Sequence, residues 1–266
     1  MQNIGILGGG WLGQALARFY SNKGKNIRIS TTTSSKIETF TSNGWEAFVL
    51  QLQANAIEGD FDNFLSDLDV LIINIPPSKA FGKLDVALQQ WIHLYGNLLT
   101  FPVIWISSTS VFEDAPNFPI YTEEDMPNGS DDSSQVLIRC EQQIANLSNP
   151  WHIIRLGGLL GTDRHPIKFL SGRNNVPNPN APVNLIAQED VVLLIDKILH
   201  TKLANQIWHG VHPIHPKRME FYTQAAEIRN ITVPVFCKNK KEVGKWISGE
   251  KTQEILGFKY TQVITF

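Results

Sequence analysis

Short apolar runs alternate with longer segments in which apolar residues recur every three or four positions. The short runs predict buried β-strands, and the longer segments predict amphipathic helices that connect them. Within the first 155 residues the predicted strands are 3–7, 26–30, 45–50, 70–75, 103–106 and 151–155, and the predicted helices are 11–23, 84–99 and 133–147. Strands that alternate with helices indicate an α/β fold with a parallel sheet and crossover helices.

The pattern changes after residue 155. Glycines and prolines break 156–183 into loops and short elements, and helical periodicity returns at 191–199, at 217–228 and at 246–257. We therefore expect a sheet domain over 1–155, to which 184–207 returns. A smaller C-terminal substrate-binding portion should comprise 156–183 and 208–266.

Composition narrows the class of protein. The 266-residue chain carries 23 Lys and Arg against 25 Asp and Glu, so it lacks the basic excess typical of a nucleic-acid binder. No apolar run approaches the ~20 residues of a membrane span, and Met1 lies almost directly before the first strand, which predicts no signal peptide. Cys140 and Cys237 are expected to be free thiols. These features predict a cytoplasmic protein with a small-molecule substrate, no nucleic-acid partner and no membrane.

A glycine-rich turn joins the first predicted strand to the first helix. The sequence GGGWLG, from Gly8 to Gly13, fits the pattern G-x-G-x-x-G in the strand–turn–helix context that this pattern requires. Gly8 permits the tight turn, Gly10 lets a pyrophosphate approach the backbone, and Gly13 lets helix and strand pack closely. Trp11 and Leu12 lie in the same turn. The sequence therefore predicts a Rossmann-type, doubly wound sheet that binds a dinucleotide here.

The end of the second strand bears on which nicotinamide cofactor binds. NAD sites usually place an acidic residue there to hold the ribose 2′-hydroxyl. This chain instead has Thr31, Thr32 and Thr33, followed by Lys36, with no acidic residue before Glu38. Hydroxyls and an ammonium can hold a 2′-phosphate that a carboxylate would repel. NADP is therefore favoured over NAD, although the arginine usual in NADP sites is missing and NAD stays open.

Four further stretches resemble the extended short-chain dehydrogenases/reductases, the nucleotide-sugar epimerase and dehydratase family. They occur in the family's order and are LIINIPPS at 71–78, ISSTSVF at 106–112, IIRLGGLLGTDRHP at 153–166 and APVNLIAQED at 181–190. The last two together are most similar to an atypical subgroup of sugar-nucleotide epimerases. In that subgroup a histidine usually follows the asparagine of the last stretch, and here Ala187 occupies its position.

The resemblance implies roles for individual residues. Ser108 would contact the reacting oxygen of the substrate, with Thr109 beside it. The residues implied on the cofactor side are Asn74, Ile75, Pro76, Pro77 and Ser107, and the implied substrate anchors are Arg164 and Asn184. Extended members of the family often form dimers, so a homodimer is an option that the sequence leaves open.

The resemblance fails at the family's catalytic dyad. Members use a Tyr and a Lys separated by three residues on the helix after the fifth strand, where the Lys lowers the pKa of the phenol. When that helix is registered on Glu141, Ser133 occupies the Tyr position and Leu137 the Lys position. No tyrosine occurs between Tyr121 and Tyr222. The dyad is absent.

Three interpretations of this departure stay open. Another group can serve as acid or base, with Tyr121, His165 and Arg164 as candidates. The reaction can be a reduction that needs only a weak or water-borne proton donor. Alternatively, the protein binds the dinucleotide without turnover, as a redox sensor or scaffold that acts through a protein partner.

Two other clusters of polar residues are assigned to structure rather than chemistry. His209, His212 and His215 have the spacing H-x-x-H-x-x-H, but Pro213 and Pro216 prevent a regular helix that would align them, so no metal site is predicted. The acidic run 123–125 is expected to be a solvated loop. Asp131 is expected to cap the following helix.

Overall fold

The computed structural model describes residues 1–76, 83–237 and 241–264. The strands, in chain order, are β1 (Asn3–Leu7), β2 (Asn26–Thr31), β3 (Glu46–Val49), β4 (Gln51–Gln53), β5 (Ala56–Glu58), β6 (Val70–Ile73), β7 (Val103–Ser108), β8 (Ile120–Tyr121), β9 (Trp151–Leu156), β10 (Gly158–Leu160), β11 (Leu185–Ala187), β12 (Gln206–Gly210) and β13 (Trp246–Ile247). The α-helices are α1 (Trp11–Asn22), α2 (Ile37–Ser42), α3 (Phe61–Leu65), α4 (Leu84–Tyr95), α5 (Asp132–Ala145), α6 (Gln188–Leu199), α7 (Arg218–Ile228) and α8 (Glu250–Leu256).

Seven strands form one sheet in the order β12-β9-β7-β6-β1-β2-β3. The neighbours from β3 to β7 run parallel to one another. The chain builds outward from β1 to β3, returns to the other side of β1, and continues through β6, β7 and β9. Strand order therefore reverses between β1 and β6, where such sheets bind ligands beyond the carboxyl ends of the strands. The predicted Rossmann-type doubly wound sheet is confirmed.

The centre of the sheet is apolar on both faces. All four residues of Val70–Ile73 are buried, as expected for a parallel strand covered by helices on both sides. On one face, large aromatic side chains fill the space between strands and helices. They include Phe61 and Phe64 of α3, Trp91 of α4 and Trp105 of β7, all fully or almost fully buried. This packing holds the strand ends that carry the predicted site.

The chain groups into two compact units, each built from separate segments. The first comprises Met1–Ser107, Asp131–Ile154 and Lys202–Ile207, and the second comprises Ser108–Ser130, Arg155–Thr201 and Trp208–Phe266. The division between residues 154 and 155 lies where the sequence pattern changes. The segments 108–130 and 184–201, assigned to the sheet domain from sequence, group with the second unit.

Pairings within the second unit explain this grouping. β10 pairs in parallel with β11, and β8 pairs in parallel with β13, so distant stretches of chain are joined by backbone hydrogen bonds. The pairing of β13 also corrects the helix predicted over 246–257: Trp246 and Ile247 are strand, and the helix begins at Glu250. The core of this unit includes Ile167 and Phe221, both fully buried.

Two features of the structure bear on the class of protein. Among the described residues, no helix combines the length and apolar character needed to cross a membrane. Cys140 and Cys237 are both free, as predicted, and Cys140 is buried.

Candidate dinucleotide site and catalytic residues

The turn after β1 is built around glycines for steric reasons. Gly8 has φ of +114°, a conformation that other residues rarely adopt, and a β-carbon there would collide with the carbonyl of Asn74. A β-carbon at Gly13 would collide with the carbonyl of Gly8. Strand β2 fixes the turn, because Gly8 N donates to Ser30 Oγ at 2.9 Å and Gly9 N donates to Ser30 O at 2.7 Å. The glycines thus allow α1 to pack closely against the ends of β1 and β2.

Gly10 is different, because it is open. It is the N-cap of α1, no side chain caps that helix, and a β-carbon at Gly10 would meet nothing within 4 Å. The start of a helix presents N–H groups and a partial positive charge, which suit a phosphate. Leu12 is buried in the core and Trp11 is half-buried, so Leu12 can reach a ligand only through its backbone.

A cavity of about 180 Å³ opens at this turn, entirely within the first unit. It spans the carboxyl ends of β1, β2 and β6, where strand order reverses. Its walls include backbone of the glycine turn, hydroxyls after β2, and apolar side chains. The lining residues with a predicted role are Gly8, Gly10, Thr31, Thr32, Asn74, Ile75 and Pro76. This combination of an anion-binding backbone with apolar walls fits a dinucleotide.

At the β2 end of the cavity, no carboxylate is among the lining residues that the structure describes. Thr32 and Lys36 are exposed and line the cavity. Thr31 is buried, and its Oγ1 accepts a hydrogen bond from Thr33 N at 3.1 Å, so Thr33 shapes the loop without lining the cavity. Arg28 is engaged elsewhere, since its Nε donates to Glu46 Oε2 at 2.8 Å.

The end of β6 borders the same cavity. Asn74 N donates to Leu7 O at 2.8 Å, and Asn74 Nδ2 donates to Gly8 O at 3.3 Å. These bonds tie the end of β6 to the glycine turn, so Asn74 has a structural role as well as the predicted contact with the cofactor. Pro77, predicted beside it, lies outside the described residues.

Three of the predicted hydroxyl residues lie at the end of β7. Ser107 is buried, and its hydroxyl donates to Glu141 Oε1 at 2.6 Å. Ser108 is half-buried, and its Oγ accepts a hydrogen bond from Ser110 N at 3.1 Å. Thr109 is buried at the start of a short 3-10 helix. The stretch therefore combines a strand-end turn with a side chain, that of Ser108, which keeps its hydroxyl proton available to a ligand.

Tyr121 is held by two hydrogen bonds within the second unit. Its hydroxyl donates to Glu113 O at 3.2 Å and accepts from Asn128 Nδ2 at 3.1 Å. Its ring stacks on Phe112, with ring centroids 4.5 Å apart. Tyr121 is half-buried, so the phenol is positioned firmly while part of it faces solvent.

His165 and Arg164 occupy opposite environments although they are neighbours. His165 is buried, stacks on Phe221 with centroids 5.5 Å apart, and accepts a hydrogen bond at Nδ1 from Ile167 N at 3.1 Å. It thus caps the following 3-10 helix. Arg164 is exposed, and its backbone forms a reciprocal turn with Gly161. The geometry gives His165 a structural role; its proton-transfer role stays a prediction.

Asn184 braces two parts of the second unit. Its Nδ2 donates to Lys245 O and its Oδ1 accepts from Ile247 N, both at 2.9 Å. The amide therefore already has a partner on each side, and its predicted contact with a substrate would compete with these bonds. Ala187, where the related subgroup has a histidine, is buried.

The prediction of a solvated acidic loop is wrong for Glu123. This side chain is only 4% exposed, and its Oε1 accepts from Thr252 Oγ1 at 2.8 Å and from the backbone of Thr252 and His209. His209 is fully buried, and burial lowers its pKa to about 3. Arg155, also buried, lies over the ring of Phe112 at 5.0 Å. The partners of Glu123 are far away in sequence, and no local pattern indicates them.

The helix cap predicted at Asp131 is confirmed. Asp131 accepts hydrogen bonds from the backbone of Ser133 and Ser134 and so caps α5. Among the residues that the structure describes, no group of three histidine, cysteine or acidic side chains could hold a metal. On α5, Ser133 is exposed and Leu137 is buried in the core, so neither can act as the missing dyad.

Comparison with known proteins agrees with this geometry. Residues 3–90 match the family model described as NADP oxidoreductase, coenzyme F420-dependent. The whole chain is similar to Protein YeeZ of Escherichia coli strain K12, with 32% identity over 268 aligned positions that cover 98% of this chain and 96% of YeeZ.

Solved structures share the fold at lower identity. A dTDP-glucose 4,6-dehydratase from Bacillus anthracis, in complex with NAD, superimposes with a TM-score of 0.79 at 13% identity and covers 99% of this chain and 93% of its own. A UDP-glucuronic acid 4-epimerase from Bacillus cereus, also with NAD, gives 0.78 at 15% identity, with 99% and 93% covered. At this identity the likeness establishes the fold.

Proposed function

This chain belongs to the family of Protein YeeZ. We propose that it is an atypical member of the extended short-chain dehydrogenases/reductases, and that it works as an NAD(P)-dependent oxidoreductase or epimerase-like enzyme on a nucleotide sugar or a small carbonyl compound. The observation that carries this proposal is the cavity at the glycine turn, which opens where strand order reverses. The bound dinucleotide would supply hydride transfer.

The residues of this chain would bind and orient. The backbone of the glycine turn and the start of α1 would hold the pyrophosphate, and the strand ends of β2 and β6 would hold the two ends of the cofactor. Ser108 would donate a hydrogen bond to the reacting oxygen. Tyr121 is the phenol best held for proton transfer in place of the missing dyad. Arg164, exposed on its loop, would anchor an anionic substrate group.

NADP is the cofactor that we propose. Thr32 and Lys36 line the β2 end of the cavity, and the described lining residues include no carboxylate to repel a 2′-phosphate. The names of the two solved relatives above mention NAD, so the choice rests on the residues of this chain. Replacing Lys36 with Ala should weaken NADP binding by about tenfold and leave NAD unchanged. Lys23→Ala is the matched control, because Lys23 follows the C-terminal end of α1, away from the glycine turn.

Binding itself is tested most directly at Gly10. An alanine there fits the backbone without a clash, so the variant should fold normally. Its methyl group would occupy the space through which a pyrophosphate approaches α1. We expect NADP and NAD to raise the melting temperature of the wild type and to have little effect on Gly10→Ala. If neither nucleotide stabilises the wild type at millimolar concentration, the cofactor proposal fails.

A second candidate is a dinucleotide-binding sensor or scaffold without turnover. Two observations favour it: the Tyr–Lys dyad is absent, and the amide of Asn184 is already hydrogen-bonded on both sides. Two assays separate the candidates: oxidation of NADPH in the presence of small aldehydes or ketones, and chromatography of nucleotide sugars after incubation with the protein and its cofactor. The second assay is needed because an epimerase returns the hydride to its substrate and oxidises no cofactor overall. Cofactor binding without turnover of any of these would favour the sensor.

The expected partners, location and oligomeric state of the protein also stay proposals. We propose a small-molecule substrate, and no nucleic-acid or membrane partner, from the balanced charge of the sequence. A cytoplasmic location is compatible with the two free cysteines. A homodimer is tested by light scattering of the full chain.

A further inference from the structure

A buried carboxylate is hydrogen-bonded to the end of β7, the strand next to the central strand β6. Glu141 and Ser107 are 4% and 5% exposed, and the 2.6 Å bond from Ser107 Oγ to Glu141 Oε1 is as short as charge-assisted hydroxyl–carboxylate bonds usually are. Both residues belong to the first unit. No step in the proposed function uses Glu141, and a buried acid needs an explanation.

Sheet topology places this pair at one end of the cofactor site. From β1, which carries the glycine turn, β2 is the neighbour on one side, and β6 followed by β7 lie on the other. Strands are about 4.8 Å apart, so the end of β7 lies roughly 10 Å from the turn. With the adenosine half over β2 and the pyrophosphate at the turn, the nicotinamide half must extend toward β6 and β7. Ser107 is the penultimate residue of β7 on that side.

Helix α5 directs an acidic side chain, and not a basic one, at the end of β7. Leu137, one turn before Glu141 and on the same face, is apolar and buried where the resemblance expects the dyad lysine. The single basic residue of α5, Arg139, is paired with Asp85 at 2.6 Å. The carboxylate of Glu141 is thus the charged group that α5 directs at the end of β7.

We propose that Glu141, through its hydrogen bond to Ser107, makes the nicotinamide end of the site negative and thereby selects the oxidised dinucleotide over the reduced one. The nicotinamide ring is positively charged when oxidised and neutral when reduced, so a nearby carboxylate stabilises the oxidised form selectively. Glu141 acts as a positioning residue with an electrostatic effect. The inference rests on the proposed function, because it requires a nicotinamide cofactor in this cavity.

The experiment measures dissociation constants for NADP⁺ and NADPH by calorimetry, using the full-length wild type and three variants. Glu141→Gln removes the charge and keeps the shape. Glu141→Asp keeps the charge, and Glu58→Gln removes an exposed carboxylate from β5 as a control. The ratio of the NADPH constant to the NADP⁺ constant should fall about tenfold in Glu141→Gln. It should change by less than about threefold in Glu141→Asp and stay constant in Glu58→Gln.

Each outcome has one meaning. If Glu141→Gln weakens both forms equally, or neither, Glu141 is structural and the inference is wrong. If the wild type binds neither form, the proposed function fails first. Should Glu141→Gln not fold, Ser107→Ala serves instead, because it removes the donor that stabilises the charged carboxylate. The same ratio should then fall by a smaller factor, and an unchanged ratio would overturn the inference.

Discussion

The glycine turn of the first unit and the loop 108–130 of the second unit both concentrate polar groups, yet they use them in opposite ways. In the turn, backbone groups are tied to β2 and the space above Gly10 is left open. In the loop, side chains bind backbone of the same unit: Tyr121 binds Glu113 O, and Glu123 binds the start of α8. The first region leaves open space beside backbone groups, as the proposed dinucleotide site requires, whereas the side chains of the second region mainly stabilise their own unit.

The difference teaches where family resemblance is a sound guide to function. In a glycine-rich turn the binding groups are backbone amides, and their positions depend on the shape of the turn. A shared glycine pattern therefore implies a shared capacity to bind a dinucleotide. A side chain such as Asn184 or His165 can keep its place in a motif while its hydrogen bonds serve the fold. The four predictions below test this contrast, beginning with the largest expected effect on stability.

The first prediction concerns Gly13, where shape should matter most. Gly13→Val places branched carbons against the carbonyl of Gly8, so α1 and β1 must separate. We expect a loss of at least about 3 kcal/mol in the free energy of unfolding, measured in urea, and loss of dinucleotide binding.

Gly96→Ala is the control for that prediction, because a β-carbon there makes only ordinary contact with Ile92. It should change the free energy of unfolding by less than about 0.5 kcal/mol. A Gly13→Val protein that binds NADP normally would show that the turn is not the rigid element described here.

Sequence alone predicts most of the first unit because its determinants are local. The bond from Gly8 to Ser30 joins residues 22 positions apart, within one strand–helix–strand unit. Periodicity therefore locates the strands, and the glycine pattern locates the turn. The hairpin of β4 and β5 is not predictable in this way, since strands of three residues leave no periodic pattern.

The second unit was harder to predict because its determinants lie far apart in sequence. Glu123 and Thr252 are 129 positions apart, and Lys245 donates to Phe112 O across 133 positions. A single sequence offers no pattern for such pairs, so the burial of Glu123 cannot be predicted from it. The candidate hydroxyl of Ser108 was predicted because it lies at a strand end, where topology and resemblance agree.

The second prediction tests whether side chains really hold the second unit together. Glu123→Ala removes a buried carboxylate and leaves Thr252 Oγ1 and His209 N without that acceptor. We expect a loss of about 3 kcal/mol in the free energy of unfolding, because buried polar groups are costly once a partner is removed. Glu124→Ala, on the exposed neighbour, should cost less than about 0.5 kcal/mol. Equal losses would contradict the contrast drawn above.

The third prediction concerns pH. Burial lowers the pKa of His209 to about 3, from an unfolded value of 6.5. The unfolded chain therefore binds more protons between pH 6.5 and pH 3, and the stability that neutral His209 provides is lost as the pH falls through that window. Between pH 7.5 and pH 5.5 this should cost about 1.4 kcal/mol.

Urea unfolding at pH 7.5, 6.5 and 5.5 checks this, with His209→Gln as the test variant. Glutamine can still donate to Ser248 O, the partner of His209 Nδ1, but it cannot take up a proton. Its stability should fall less steeply with acid than that of the wild type. His93→Gln, exposed on α4, should keep the wild-type slope. A slope unchanged in His209→Gln would mean that water reaches this ring.

The fourth prediction concerns Ser108, whose replacement should change stability least of all. Its Oγ accepts one hydrogen bond, from Ser110 N, so Ser108→Ala should cost about 0.5–1 kcal/mol. Ser110→Ala keeps that backbone donor and is the matched control. If the Ser108 hydroxyl contacts the reacting oxygen, its removal should lower kcat about a hundredfold or more while NADP affinity stays constant. A Ser108→Ala enzyme that keeps its kcat would assign this hydroxyl to the turn alone, and the chemistry would then fall to Tyr121 or to water.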